Sequence, residues 1–537
     1  MRSRLKKKYY LNFKKLNEVN ISCREITEKL ISSVVTPMNE IHNLRHNKNF
    51  WYTILSPWVN SFTQNALHHY MLSKNKKKVV LPKKINFKVA KNFHAYHLMV
   101  LYNHIANFSD MYKQYFSKRS YFKKIDNFNF EIINMRKFSK ISIFKILIKN
   151  ILEIYNLIAL SISNSNFYID KLNPKLILKL AFKFKSLPII KMQGFESDYK
   201  NKQLDVELRR KFYELTVKNL DKKIPKEIVK LMCFQIPISY IENFKEYYST
   251  YKQSNFSNTK FFLLGNFVNE NIKFLISKYK INGNNLFYYQ HGGTYGCMKY
   301  HDLENYEKNI SNYYLSWFRE KNKKTIQTPS YFFIKNKIKR EKKYKLVLIN
   351  QDFPFFHRYY ITLIKEQLND SIKQQINFIK NLSKNVKEQL YLRQGPYPFD
   401  TQTENQYQRV GINFPKIENE NYKSFIGKSE IIITSYFSTT LFQALMNDIP
   451  VILLIEKNKY IFNNNFKKHL IKMEKTKILH YSAKRASKHI NAIYTKPETW
   501  WYNKKTIKCK NELLKNFGFT SKNWENYWVK NISKNLN

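Results

Sequence analysis

The stretch SEIIITSYFSTTLFQALMNDIPVILL, residues 429–454, decides the fold. Ile431 to Ile433 form a short continuous apolar run, as a strand covered on both faces requires. Polar residues follow, then Leu441, Ala444 and Leu445 at helical spacing, and Pro450 introduces a second apolar run from Val451 to Leu454. Strand, loop, helix and strand make a βαβ unit, which brings a parallel sheet with it. Ser435, Ser438, Thr439 and Thr440 fall in the loop and at the start of the helix, so hydroxyls and unpaired backbone N–H groups converge beyond the strand ends. Such a point attracts phosphate.

The same pattern spreads outward. Lys345 to Asn350 reads as a strand, a long helical region runs from about Tyr359 to Val386, and Glu388 to Arg393 is the next strand, with Arg393 at its carboxyl end. Ser482 to Ile493 is helical, and Pro497 to Trp501 begins a terminal helical segment expected to cross back to the first half. Lys321 to Lys343, lysine-rich with no apolar period, is expected to be an interdomain linker. Before it, Lys260 to Asn266 and Leu286 to Tyr289 read as strands flanking a helix from Val268 to Tyr279, and Asn312 to Trp317 as a further short strand. Leu187 to Met192 is another strand, and residues 15–70 are helical. The expectation is an α/β protein of two Rossmann-like domains facing across a cleft (GT-B-like), with added N-terminal helices. Residues 1–325 form the acceptor-side domain, 340–485 the donor-nucleotide domain, and 486–537 the C-terminal helices.

A chain of 537 residues is too long for one hydrophobic core, which agrees with two domains. Its formal charge of +55 points to a polyanion such as nucleic acid or an anionic membrane. A second cause competes: Lys, Asn, Ile, Phe and Tyr abound while Gly numbers 10, as an AT-rich genome imposes, and the lysines are scattered, so nucleic acid is not favoured as a partner. The N-terminus lacks the apolar core of a signal peptide, and Ile141 to Ile162, interrupted by Lys145, Lys149, Asn150, Glu153 and Asn156, is too polar to span a bilayer. A cytoplasmic protein is expected. Peripheral contact with the inner membrane surface stays open through Arg136 to Ser163, where Lys140, Lys145 and Lys149 border Ile143, Leu147, Ile151 and Leu152; a core-facing helix explains the same pattern and is preferred. Cys23, Cys233, Cys297 and Cys509 are widely separated structural thiols, and His94, His97 and His104 have no carboxylate at metal-ligand spacing in the sequence, so no metal site is read.

Neither a GxGxxG nor a GxxxxGK[ST] loop occurs, which weakens dinucleotide oxidoreductase and P-loop NTPase readings, and no DxD pair stands ready for a divalent ion. Charge on a bound phosphate must then be met by the hydroxyls and N–H groups at Ser438, Thr439 and Thr440, by Arg393 from what is read as the neighbouring strand, and Gln443 would reach a ribose hydroxyl. The plainer reading of the hydroxyls is helix capping, which Ser438 alone satisfies. Gln290-His291-Gly292-Gly293 puts a histidine at a strand end before two glycines that let a ligand approach the backbone, so His291 is read as general base or donor to the leaving phosphate, with Gln290 beside it. Weaker acceptor-side candidates are Trp58, a sugar-stacking ring if Trp51, Leu55, Trp58 and Phe62 are not simply a core face, and Glu196 and Asp198, a general base if their loop is not simply solvated.

These blocks together, Trp51 to Phe62, Gln290 to Gly296 (QHGGTYG), Ser435 to Pro450 and Glu498 to Trp501, resemble the transferases encoded in bacterial surface-polysaccharide and lipopolysaccharide gene clusters, which are similar to GT-B glycosyltransferases. The resemblance covers most of the chain. It implies sugar transfer from a nucleotide-sugar donor to a glycan or glycolipid acceptor without cofactor or essential metal, the donor held by the second domain and the acceptor by the first. Two departures stand out: Gln443 replaces the family's usual glutamate, and Arg393 to Asp400 holds two residues more than the family's Arg-x-Tyr-Pro-x-Asp. The rival readings are a basic nucleic-acid-binding protein and a non-catalytic relic that binds a nucleotide sugar.

Overall fold

The computed structural model describes residues 13–73, 85–101, 108–117, 128–133, 143–162, 166–170, 174–191, 202–221, 223–252, 259–265, 270–281, 285–330, 340–350, 365–394, 403–417, 422–457 and 459–536. The chain divides into two compact units. One is built mainly from Val19–Tyr289 with Asn305–Tyr313, the other mainly from Gln290–Glu304 and Tyr314–Asn531. They are called the N-terminal and C-terminal units.

The N-terminal unit begins with helices α1 (Phe13–Ser33), α2 (Val35–His42) and α3 (Lys48–Ser73). In α3, Trp51, Leu55, Trp58 and Phe62 are all fully buried, as a core-facing stripe at helical spacing should be. Strands β1 (Ile85–Ala90) and β2 (Phe128–Ile133) then pair in parallel around helices α4 (Phe93–Leu101) and α5 (Phe108–Ser117). Next come α6 (Ile143–Ile162), β3 (Asn166–Asp170), α7 (Pro174–Phe184) and β4 (Leu187–Lys191). After α8 (Val206–Lys218), α9 (Lys226–Gln235) and α10 (Phe244–Lys252), the chain returns to the sheet through β5 (Thr259–Leu264), α11 (Glu270–Ile281) and β6 (Asn285–Tyr289). These strands lie in the order β4-β3-β5-β6, all parallel, and Phe261 to Leu264 and Leu286 to Tyr289 are buried without alternation, as strands covered on both faces are. Off the sheet, Arg209 is fully buried and locked: its guanidinium donates to both Glu242 oxygens at 2.7 and 2.8 Å and to the Phe234 and Ile236 carbonyls at 2.9 and 2.8 Å.

Periodicity finds β4, β5, α11 and β6, but β1, β2, β3 and α7 emerge only in the structure. A second difference concerns α6. Its preferred reading as a core-facing helix through Leu147 and Ile151 is corrected, because both side chains are 56% exposed. The sheet-facing side is set instead by Asn156, whose amide brackets the Ile190 backbone of edge strand β4, donating to O at 2.7 Å and accepting from N at 3.0 Å. Among the described residues no helix is long and apolar enough to cross a membrane.

Helix α12 (Asp302–Ile310) leads to β7 (Tyr313–Ser316), which pairs in parallel with β8 (Thr325–Gln327). Strand β8 lies inside the stretch expected to be a featureless linker; three residues between Lys323-Lys324 and Thr328-Pro329 carry too little period to be read from sequence.

The C-terminal unit holds a five-stranded, wholly parallel sheet of β9 (Tyr344–Asn350), β10 (Leu390–Gln394), β11 (Ser429–Thr434), β12 (Val451–Leu454) and β13 (Leu479–His480), in the order β10-β9-β11-β12-β13. The expected long helix between β9 and β10 is two pieces, α13 (Lys365–Lys380) and α14 (Lys384–Glu388), broken before Ser383. Short α15 (Thr403–Gln408) and α16 (Tyr422–Lys428) precede β11, and α17 (Thr439–Met446) joins it to β12. Then follow α18 (Asn464–Lys475), α19 (Ala483–Ile493), α20 (Pro497–Trp501), α21 (Lys504–Phe517) and α22 (Trp524–Lys534). Leu346, Leu348, Ile431, Ile433, Ile452 and Leu454 form one sheet face of the core, covered by Ile372, Phe378 and Ile379 of α13 and by Ala486 and Ile490 of α19. From β9 the chain goes first to β10 on one side and then to β11 on the other, so the strand order reverses between β9 and β11. Ligands of open parallel sheets bind outside the carboxyl ends at such a switch point.

Candidate active site

Three segments meet at that switch point in the C-terminal unit. The first is the end of β9 at buried Asn350, and the second is the turn that leads from the end of β11 at Thr434, through buried Ser435, to the start of α17 at Thr439. Ser438 is the N-cap: its backbone is extended (φ −154°, ψ −179°) and its Oγ accepts from Thr440 N at 3.3 Å. The Tyr436 phenol reaches the Ser438 and Thr440 hydroxyls; burial raises its pKa, and those hydrogen bonds oppose the rise. The N-terminus of α17 is thus ringed by hydroxyls and carries the positive end of the helix dipole.

The third segment is the QHGGTYG loop. Gly293 N donates to Thr439 Oγ1 at 2.9 Å, across 146 residues of sequence. A Cβ on Gly293 would stand 2.8 Å from Phe442 Cδ2 and 2.9 Å from the Thr439 Cα, so only glycine allows the loop to lie this close to the helix. The loop is fixed at both ends. Gln290, fully buried, accepts from Trp317 N at 2.7 Å and donates to Gly292 O at 2.7 Å. At the other end Asn463 donates to Gly296 O, Lys299 N donates to Ile461 O at 2.8 Å, and Gly296 takes a φ of +70°. In sequence the loop follows β6, yet Gln290–Glu304 clusters with the C-terminal unit.

His291 sits half-buried in this loop against Tyr295, whose hydroxyl lies 3.2 Å from Nε2 and 3.4 Å from Nδ1. Loss of hydration pushes its pKa down to about 4, so the ring is neutral at physiological pH and keeps a lone pair. Behind Tyr295, at 4.1 Å between ring centroids, His301 accepts from Glu304 N at 3.2 Å through Nδ1 and meets Thr294 Oγ1 at 3.0 Å through Nε2, which makes it the Nε2–H tautomer. Tyr295 and Asn350 join the site only through the fold. Tyr295 lies within the quoted motif, one turn on from His291, and Asn350 is the polar residue that ends an apolar strand run.

The structure therefore brings Gln290, His291, Gly292, Gly293, Ser438, Thr439 and Thr440 together. Gln443 is half-buried on the second turn of α17. The other candidates part from them. Arg393 is not on the strand next to β11: β9 lies between, and parallel strands are spaced by about 4.8 Å. Its guanidinium donates to Ile417 O at 2.7 Å and lies 5.2 Å over the Phe425 ring, so the reading of Arg393 as a clamp from the neighbouring strand is corrected to one of holding β10 to its flanking loop. Ser435 is buried and its Oγ donates to Ile349 O at 3.4 Å, bridging β11 to β9. Trp58 is fully buried, stacked on Phe62 at 5.1 Å, and has no face for a sugar. Glu196, Asp198 and Asp400 lie outside the described residues. All four cysteines are buried, and none of them is in a disulfide.

The class defined here is an α/β protein with parallel sheets, added N-terminal helices and a helix N-terminus ringed by hydroxyls at the carboxyl edge of its C-terminal sheet. The chain belongs to the LIC12162 family of transferases, whose model matches residues 4–532. No curated protein matches the sequence. Among solved structures it is similar to a provisional UDP-N-acetylglucosamine 2-epimerase from Listeria monocytogenes (10% identity over 70% of this chain and 97% of the other, TM-score 0.40). It is also similar to the UDP-GlcNAc 2-epimerase from Neisseria meningitidis (11%, 69% and 100%, TM-score 0.38) and to the wall teichoic acid polymerase TagF (10%, 73% and 97%, TM-score 0.34). At these scores the likeness assigns neither activity nor substrate to this chain.

Proposed function

We propose that this transferase is a glycosyltransferase that moves a sugar from a nucleotide-activated donor to a hydroxyl of a surface-polysaccharide or lipopolysaccharide acceptor, in the cytoplasm and without an essential metal. The observation that carries the reading is the Gly293 N to Thr439 Oγ1 hydrogen bond, which seats a histidine-bearing glycine loop on a helix N-terminus at the sheet's switch point. The donor is assigned to the C-terminal unit, the acceptor to the N-terminal one. The first-turn N–H groups of α17, with Ser438, Thr439 and Thr440, take the phosphate that leaves with the nucleotide. Gln443 takes a ribose hydroxyl. Neutral His291 accepts the proton of the acceptor hydroxyl as its oxygen bonds to the anomeric carbon and the bond to the donor phosphate oxygen breaks. Gln290 and Tyr295 hold the loop and ring in place.

The test is calorimetric titration of the purified chain with a panel of nucleotides, followed by turnover with the matching nucleotide sugars. At least one nucleotide binds, Ser438→Ala and Thr439→Ala weaken it, and a chelator leaves turnover unchanged. His291→Ala lowers turnover by roughly 10² to 10⁴ while nucleotide binding persists. Binding indifferent to Thr439→Ala would remove the site. Binding with no transfer or donor hydrolysis would leave the relic reading, which gains support from the structural duties of Ser435 and Ser438.

A further inference from the structure

Helices α6 and α7 of the N-terminal unit leave apolar side chains in solvent where helices ordinarily turn polar ones. On α6, Leu147, Ile151, Ile154, Ile158 and Ile162 recur at intervals of three or four residues, so they share one stripe, and each is between 49% and 71% exposed. The stripe is distinct from the Asn156 side that covers the edge of β4. On α7, Leu178 is 70% and Phe182 91% exposed, one turn apart. Lys175, Lys179 and Lys183 are exposed on the same side of that helix, which has no acidic residue. Leu176 and Leu180 are the α7 side chains that face the core. Both helices pack on β4.

An occupant of such a face must offer apolar depth and negative charge together. A second copy of this chain offers the first but brings the same formal charge of +55 and the same lysine-bearing helix, so like charges would meet. An anionic bilayer offers both, headgroups for the lysines and the acyl boundary for the leucine, isoleucine and phenylalanine side chains. Lying flat is the mode the sequence of α6 allows, since Lys145, Lys149 and Glu153 interrupt it and no described helix is apolar enough to cross. We propose that α6 and α7 form a docking face that seats this chain on an anionic lipid surface, a property independent of the transfer chemistry above.

A chain this basic adheres to anionic vesicles through scattered lysines alone, so the decisive variants leave charge untouched. The full chain is sedimented at physiological salt with phosphatidylcholine vesicles that contain or lack phosphatidylglycerol, and compared with Phe182→Ser, Ile151→Ser and Ile158→Ser, singly and together. The expected result is partition to the phosphatidylglycerol vesicles that falls about tenfold in the triple variant. These side chains are exposed, so melting temperature and nucleotide binding stay as in the parent chain. Equal partition of parent and triple variant would show adhesion by charge alone and overturn the proposal, as would absence of partition in the parent. A lipid-free dimer of the parent that Phe182→Ser dissolves would hand the face to a second copy instead.

Discussion

Gly292 and Gly293 are neighbours in sequence, and the structure predicts opposite tolerance to a single methyl group. At Gly293 the added Cβ meets the Thr439 backbone at 2.9 Å and Phe442 at 2.8 Å; a backbone atom in the first turn of α17 cannot rotate aside, so the loop must lift. Lifting it breaks the 2.9 Å bond from Gly293 N to Thr439 Oγ1. Overpacking of this kind costs about 1 to 3 kcal/mol, and a lost hydrogen bond about 1 kcal/mol, so Gly293→Ala should destabilise the C-terminal unit by about 2 to 4 kcal/mol. At Gly292 the nearest atom is Tyr295 Cε2 at 3.3 Å, a ring edge that can give by a few tenths of an ångström, and Gly292→Ala should cost under about 1 kcal/mol. Thr439→Val, which keeps the shape and removes only the acceptor, should fall between, at about 1 to 2 kcal/mol. Urea unfolding followed by tryptophan fluorescence, with separate transitions fitted for the two units, reads all three. If Gly293→Ala is as stable as the parent, or Gly292→Ala loses more, the loop does not lie on α17 and the site dissolves with it.

Three further outcomes are expected. Because His291 is held neutral down to about pH 4, kcat/KM should stay level as pH falls from 7 toward 5 instead of halving near the ordinary imidazole value of about 6.5; a break near 6.5 in the pH–rate profile would show a hydrated, unperturbed ring. Burial also lowers His42, His480 and His489 to about 4, 4 and 3, so their contribution to stability is complete above pH 6.5 and is lost as pH falls through the folded-state values. The buried His42 ring is worth on the order of 3 kcal/mol, and His480 and His489, hydrogen-bonded to each other at 3.1 Å, contribute jointly in the same direction; the readout is a melting temperature that drops between pH 6.5 and 4, and a flat melting profile would contradict their burial. Arg209→Ala leaves Glu242 buried without its partner and should destabilise the N-terminal unit by about 3 to 5 kcal/mol in denaturant, whereas a loss within that of an exposed pair would place Arg209 in water.

What residues 429–454 determine on their own is the succession of β11, α17 and β12 and the parallel pairing of the strands, because apolar period and a capping hydroxyl act over a few residues. The helical stripe of Trp51, Leu55, Trp58 and Phe62 is legible for the same reason. Sequence shows that α6 is amphipathic but not which side meets the sheet; Asn156 makes that choice by pairing with Ile190 of β4. Strands β1, β2 and β3 escape because polar Asn86, Lys88, Asn129, Glu131 and Asn166 interrupt their apolar runs, and β8 because it has three residues; neighbours in space rather than in sequence complete them. The insertion of β9 between β10 and β11 moves Arg393 away from the hydroxyls, and the close approach of Gly293 to Thr439 brings His291 to them. Both are long-range facts: strand order and loop docking are settled by how whole elements bury their faces, and no local pattern of residues records the outcome.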